Sequence, residues 1–164
     1  MPAIRPIPEG HHTITPSLVI RGAAQAIDFY KKALGAREIH RMATPDGKIM
    51  HAELQIGDSI LFLTDEFPGA SRAPQTLGGT PVSLQIYVED VDALWERAVA
   101  AGATVKMPLD NQFWGDRYGQ IVDPFGHEWG LATRKEDVGP EELERRAREA
   151  MAKFAASQRK ATSA

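Results

Sequence analysis

The sequence predicts an α+β fold of two tandem β-α-β-β-β modules, followed by one helix that belongs to neither. Three observations carry this expectation. The chain repeats itself: Gly35-Ala36 and Gly102-Ala103, Gly47 and Gly115, and the turn glycines Gly57 and Gly126 each recur after about 68 residues. The stretch Gly115 to Thr133, GDRYGQIVDPFGHEWGLAT, reads as a β-hairpin closed by Asp123-Pro124-Phe125-Gly126. Proline suits the second position of that turn, and glycine supplies a positive φ near its end. The earlier stretch Gly47 to Glu66 has the same shape and turns at Gly57-Asp58.

Residues 1–12, rich in proline and polar groups, read as an extended arm. The first module spans 13–66. Its opening strand, Thr13 to Arg21, ends at Gly22, and Ala26, Ile27, Tyr30 and Leu34 then fall at helical spacing before the stop at Gly35. A second strand covers Arg37 to Ala43, and Pro45-Asp46-Gly47 turns the chain. Ile49 to Ile56 alternates, with Met50, Ala52, Leu54 and Ile56 expected against the helix and Ile49, His51, Glu53 and Gln55 on the other face. Ser59 to Thr64 is uniformly apolar, as in a strand covered on both faces.

Residues 67–81 hold prolines and glycines without a period and read as a linker. The second module spans 82–134. Val82 to Val88 is its first strand, and Val91 to Ala101 its helix, with Asp90 as N-cap and Gly102 as stop. Thr104 to Met107 begins a strand broken at Pro108, and the hairpin strands are Arg117 to Val122 and His127 to Thr133. Residues 139–158 form an amphipathic helix with Pro140, Glu141 and Glu142 in its first turn and an apolar stripe of Leu143, Ala147, Met151 and Phe154. That stripe packs either on its own domain or across a dimer, and Ser157 to Ala164 is expected to fray.

Composition narrows the partners. At 164 residues the chain can bury roughly 70% of its unfolded surface, enough for one core. A net charge of −3 gives no electrostatic case for nucleic acid. The absence of cysteine excludes disulfides, thiolate chemistry and cysteine-based metal sites. No apolar signal-peptide region opens the chain and no run is long enough to span a membrane, so a cytoplasmic location is expected.

With two β-α-β-β-β units, the helix ending AIDFYKKALGA and the closing DPFGHEW hairpin, the chain from Thr13 to Thr133 resembles the vicinal-oxygen-chelate superfamily. That group holds glyoxalase I, extradiol dioxygenases, fosfomycin-modifying enzymes and bleomycin-resistance proteins. The motifs Ile27-Asp28-Phe29-Tyr30, Gly78-Gly79-Thr80-Pro81, Tyr87-Val88-Glu89-Asp90-Val91, Gly115-Asp116-Arg117 and Asp123-Pro124-Phe125-Gly126-His127 are most similar to its PhnB-like branch. The resemblance implies paired half-barrels around a cavity, with helices outside. It also implies that metal-ligand positions, one on the first and one on the fourth strand of each unit, fall on Thr15, Phe62, Ser83 and Gly130. None of these is a histidine, glutamate or glutamine, so no metal and no cofactor is expected.

Three constellations could carry chemistry. His51 and Glu53, two apart on a strand, share a face: a general base with an orienting carboxylate, two ligands of a displaced metal site, or a polar strand face. Ser83, Gln85 and Tyr87 alternate towards the cavity and either bind a ligand or satisfy one another. Phe113, Trp114 and Arg117 suit a planar or anionic ligand, the alternative being a core aromatic cluster with an Arg117-Asp116 pair. Trp95 and Trp129 fall on helix-facing positions and read as core; His11 and His12 read as a solvated arm, and His40 and His127 have no assigned partner.

The expected function is metal-free binding of a planar or amphipathic small molecule in the inter-module cavity by a homodimer, through His51, Glu53, Phe62, Ser83, Gln85, Tyr87, Phe113, Trp114 and Arg117. The alternative is a glyoxalase-like lyase, isomerase or transferase that uses a divalent metal or the His51-Glu53 pair. A third reading is an interaction module acting through the C-terminal helix.

Overall fold

Each repeat folds into a four-stranded mixed sheet with one helix laid on it. The computed structural model describes residues 4–162; the first three residues of the expected arm and the last two of the expected frayed end lie outside them. The first module comprises β1 (Ser17–Ile20), α1 (Ala23–Leu34), β2 (Arg37–Ala43), β3 (Ile49–Ile56) and β4 (Ser59–Asp65). The second comprises β5 (Ser83–Tyr87), α3 (Val91–Ala100), β6 (Thr104–Asn111), β7 (Asp116–Val122) and β8 (Glu128–Arg134). A short helix α2 (Pro74–Leu77) lies in the linker, and α4 (Pro140–Thr162) closes the chain. The strand orders are β1-β4-β3-β2 and β5-β8-β7-β6, with the first and last strands of each module parallel and the rest antiparallel.

The repeat extends to individual hydrogen bonds. Asp65, at the end of β4, caps α1: its Oδ1 accepts from the backbone N–H of Gly22 and Ala23, both at 3.0 Å, and its Oδ2 from Ile49 at 2.7 Å. Thr133 does this for α3, its hydroxyl accepting from Val91 N–H at 2.9 Å and donating to the Val88 carbonyl at 2.7 Å. Both satisfy donors that a helix start leaves without an intrahelical partner. Asp90 is the N-cap of α3, as expected, accepting from Ala93 N–H at 3.0 Å.

The modules share one core, in which α1 packs on α3 and the helix-facing sides of both sheets close over them. Ile20, Tyr30, Leu54, Leu63, Trp129 and Leu131 are buried there. The β7–β8 turn locks onto the other module. Asp123 accepts from Phe125 and Trp129 at 2.9 Å, from His127 N–H at 3.0 Å, and from the Tyr30 hydroxyl of α1 at 2.6 Å. His127, without a partner in the sequence reading, bonds through Nε2 to the Val19 carbonyl of β1 at 3.0 Å.

Four local expectations are corrected. β1 starts only at Ser17, because Pro16 precedes it and has no N–H for a ladder. On β3 it is Ile49 that is buried, while Met50 is 51% exposed. Met42 pairs with His51 and Ala43 with Ile49, so Met50 is the extra residue of a bulge that reverses the alternation. Pro108 does not break its strand: β6 is an edge strand, and register shifts on both sides of Met107 absorb the missing N–H. α4 runs past the expected frayed start to Thr162.

Candidate functional site

Strand alternation leaves each sheet one face turned away from its helix, and the candidate residues divide between the two. On the first module this face carries His51 and Glu53 from β3 and Phe62 from β4, with Glu53 and Phe62 directly opposite in the ladder. His51 Nε2 lies 3.2 Å from Glu53 Oε1, and the His51 ring stands edge-on to Phe62 at 4.9 Å. His11 closes the group, its ring 5.6 Å from Phe62. The arm therefore folds back onto the sheet there. That contact was not legible in a proline-rich stretch without a period.

The corresponding face of the second module is an aromatic wall built around one carboxylate. Asp116, 6% exposed at the start of β7, accepts through Oδ2 from the Tyr87 hydroxyl at 2.8 Å and from Trp114 Nε1 at 3.0 Å. The Tyr87 hydroxyl pKa is raised by that hydrogen bond first, then by burial and the carboxylate charge. Trp114 stands edge-on to Tyr118 at 5.6 Å and to Phe113 at 5.1 Å. Gln120 donates to the Tyr118 hydroxyl at 2.7 Å. Asp116, Tyr118 and Gln120 alternate along β7, a period-two signal that could have found the wall from sequence.

Tyr118 is buried because Gly130 makes room for it. A Cβ at Gly130 would lie 2.8 Å from Tyr118 Cε2 and 3.3 Å from Gln85 Oε1. Gln85 pairs with Gly130 in the ladder, so both residues belong to the wall. Ser83 is exposed at its rim.

Arg117 does not join these residues. It points to the opposite face, where Nε and Nη2 hold the Asp92 carboxylate of α3 at 2.6 to 3.0 Å. One-residue alternation on β7 separates it from Asp116, and so from the Trp114 bonded to that carboxylate. The hydrogen bond to Arg117 lowers the Asp92 pKa, and the same bond raises that of Arg117.

The residues present do not fit a catalytic metal. Among the described residues, no three histidine, aspartate or glutamate side chains converge. Phe62 and Gly130 do lie on the faces expected, but Phe62 has no donor atom and the space above Gly130 is taken by Tyr118. His51 and Glu53 supply at most two ligands, where catalytic sites use about three. A half-open cavity of about 480 Å³ lies beside β5, between α3 and the β3–β4 turn. Of the nine expected site residues it takes in Gln85 and Tyr87. No helix among the described residues is long and apolar enough to cross a membrane.

Comparison with known proteins adds four relations. Residues 11–131 match the family model of the glyoxalase/bleomycin resistance protein/dioxygenase superfamily. The uncharacterized protein Rv0887c of Mycobacterium tuberculosis is 47% identical over 135 residues, covering 80% of this chain and 79% of that one. TnmS3, an antibiotic binding protein from Streptomyces sp. CB03234, superposes with a TM-score of 0.59 at 25% identity, covering 76% of this chain and 96% of its own. The PhnB protein of Bacillus cereus shares the fold with a TM-score of 0.58 at 18% identity, covering 74% and 99%.

Proposed function

Because this chain belongs to the glyoxalase/bleomycin resistance protein/dioxygenase superfamily, we propose that it is a cytoplasmic small-molecule-binding protein that works without a metal. A planar or amphipathic ligand stacks on Tyr87 and Trp114, with Gln85 and Phe113 at its margins and the buried Tyr118 supporting Trp114 from behind. The observation that carries this reading is Asp116, whose buried carboxylate holds two aromatic donors in place before any ligand arrives. Preorganised aromatics lose little freedom on binding, which is where affinity for a flat ligand comes from. The likeness to TnmS3 supports an antibiotic or a similar planar compound as the ligand.

The ligand is enclosed when a second face covers the wall. Tyr87 is 60% exposed and Phe113 37%, so the wall alone is uncovered. The His51, Glu53 and Phe62 face is the complementary surface, and a homodimer brings two copies of each face together. Ser83 sits at the rim as a polar contact, whereas Arg117 acts only by fixing β7 to α3. A thermal-shift screen of planar antibiotics and aromatic acids tests the proposal. Trp114→Ala should weaken any hit by about 2 kcal/mol, the cost of truncating a buried aromatic anchor. Unchanged affinity in that variant would place the ligand elsewhere.

A second reading rests on the 3.2 Å contact between His51 and Glu53. A carboxylate that orients an imidazole is the arrangement of a general base, and a lyase or isomerase could use it. A pH–rate profile lost in His51→Gln would favour this reading over simple sequestration.

A further inference from the structure

We propose that the cavity beside β5 is a second binding site, shaped for a neutral planar aromatic ring that carries an N–H donor. The cavity shares Gln85 and Tyr87 with the wall around Asp116 but opens beside β5, away from Trp114 and Tyr118. The proposal comes from comparing the two halves of the repeat.

In the first half, the corresponding space is filled by the chain itself. The β7–β8 connection runs from Asp123 to His127 and packs beside α1 and β1. The Phe125 ring stands edge-on to Phe29 at 6.2 Å and to Tyr30 at 6.4 Å. His127 Nε2 reaches the Val19 carbonyl, on the edge of β1 that β4 leaves free.

In the second half, the connection between β3 and β4 is only Gly57-Asp58. It supplies neither a ring nor a side-chain donor, and the cavity of about 480 Å³ remains, lined by Gly57, Leu84, Ile86, Leu94 and Arg97 among others. The Val19 carbonyl and Phe29 have counterparts here, whereas Ala98 stands where Tyr30 does and leaves more room. Tyr87 follows Val19 by the repeat length. Val88 N–H bonds to Ala132, so strand alternation turns the Tyr87 carbonyl to the free edge of β5. Arg97 occupies the position of Phe29 and has no ion-pair partner among the described residues. Its Nε is held by the Ala33 carbonyl at 3.0 Å. The planar guanidinium can take the face of an aromatic ring as Phe29 takes the edge of Phe125.

Charge selects the neutral form. Arg97 on one side and Asp58 and Asp90 on the other give the lining opposed charges, so a charged ligand that pairs with one is repelled by the other, while a neutral ring meets neither cost. A ring replaces Phe125, and its N–H replaces His127 by donating to the Tyr87 carbonyl. Indole is the simplest molecule with both features.

The experiment is a titration of the full-length protein with indole, followed by backbone amide NMR, with tryptamine and indole-3-acetate in parallel. Indole should give saturable shifts at Gly57 to Leu61, Leu84 to Val88 and Ala93 to Arg97, leaving the Trp114 side-chain N–H unmoved. Tryptamine and indole-3-acetate should bind at least about tenfold more weakly, a difference of about 1.4 kcal/mol. Replacing Gly57-Asp58 by Asp-Pro-Phe-Gly-His would give the second half its own ring and should abolish the shifts. If that loop variant does not fold, Ala93→Phe fills the cavity from α3 and should reduce indole affinity at least tenfold. Shifts centred on Trp114 and Tyr118 would overturn the second site while leaving the wall intact as a binding surface. Failure to saturate by several millimolar, or equal affinity in a folded cavity-filled variant, would also overturn it.

Discussion

The Tyr30 hydroxyl donates to the Asp123 carboxylate at 2.6 Å and so ties the first helix to the last hairpin turn. Burial, with the adjacent carboxylate, raises the Tyr30 pKa well above its ordinary value. The neutral phenol is therefore favoured in the folded state. Above about pH 10 the unfolded chain loses this proton while the folded chain keeps it, so stability falls as pH rises. Below that pH the contribution is fully present. Tyr30→Phe should cost about 2 kcal/mol at neutral pH, the range for a hydrogen bond to a charged group. It should also flatten the alkaline loss in urea denaturation, only partly, because Tyr87 is raised as well.

The same contact predicts how the modules unfold. With α1, α3 and both sheets in one core, neither module keeps its apolar face covered without the other. Calorimetry should show a single transition with equal calorimetric and van't Hoff enthalpies. Two separated, concentration-independent transitions would show that the modules are stable apart.

Asp116 offers a graded test of the wall. Asp116→Leu leaves the Tyr87 hydroxyl and the Trp114 N–H without their acceptor and should cost about 1–3 kcal/mol of stability. Asp116→Asn keeps one carbonyl oxygen and should cost less. Ligand affinity should fall in the same order, because both variants free the rings that the ligand needs fixed. Chemical denaturation and the same ligand titration measure the two effects.

These predictions lean on different amounts of sequence. The modules were legible because a repeat of about 68 residues preserves glycines wherever the backbone must turn, as at Gly57 with φ 58 and Gly126 with φ 89. Hydrogen-bonded equivalents such as Asp65 and Thr133 were not, because different side chains do one job. Faces were legible wherever alternation was unbroken, which placed Phe62, Gln85 and Tyr87 correctly. They failed at Met50, where a bulge inserted one residue. Closeness in sequence groups Arg117 with Trp114, but Trp114 bonds to Asp116, and Asp116 and Arg117 look to opposite faces of β7. His11 was missed because its partner Phe62 is about 50 residues away in sequence.

The C-terminal helix carries an apolar stripe that a second copy would cover. Glu142, held to a pKa of about 2 by its hydrogen bonds to Arg145 and Arg146, anchors the start of α4, and Arg146 also binds Glu136. Beyond it the apolar stripe is uncovered, with Met151 71% and Phe154 66% exposed. Light scattering at about 50 μM should give a dimer mass, since a folded pair is favoured by concentration. Removal of residues 139–164 should weaken that dimer. A dimer unchanged by the truncation would leave the sheet faces as the contact that holds it.

The last prediction concerns metal. The purified protein, dialysed against a mild chelator, should hold no stoichiometric nickel, zinc, manganese or iron. A divalent ion here must be bound by imidazole or carboxylate, since the chain has no cysteine. Its ligands would have to converge on the faces that carry Phe62 and Gly130. Phe62 is held between His11 and His51 and cannot coordinate. Gly130 cannot be exchanged for a ligand without displacing Tyr118, whose ring lies where a Cβ would go. Gly130→Ala should therefore already disturb the wall and weaken a stacked ligand, with no metal involved. His51 and Glu53 remain, two ligands from one strand, and water would fill the rest of the shell. Such a site exchanges its ion readily. Elemental analysis decides the matter: about one metal per chain, lost in His51→Ala, would show that the first-module face is a metal centre.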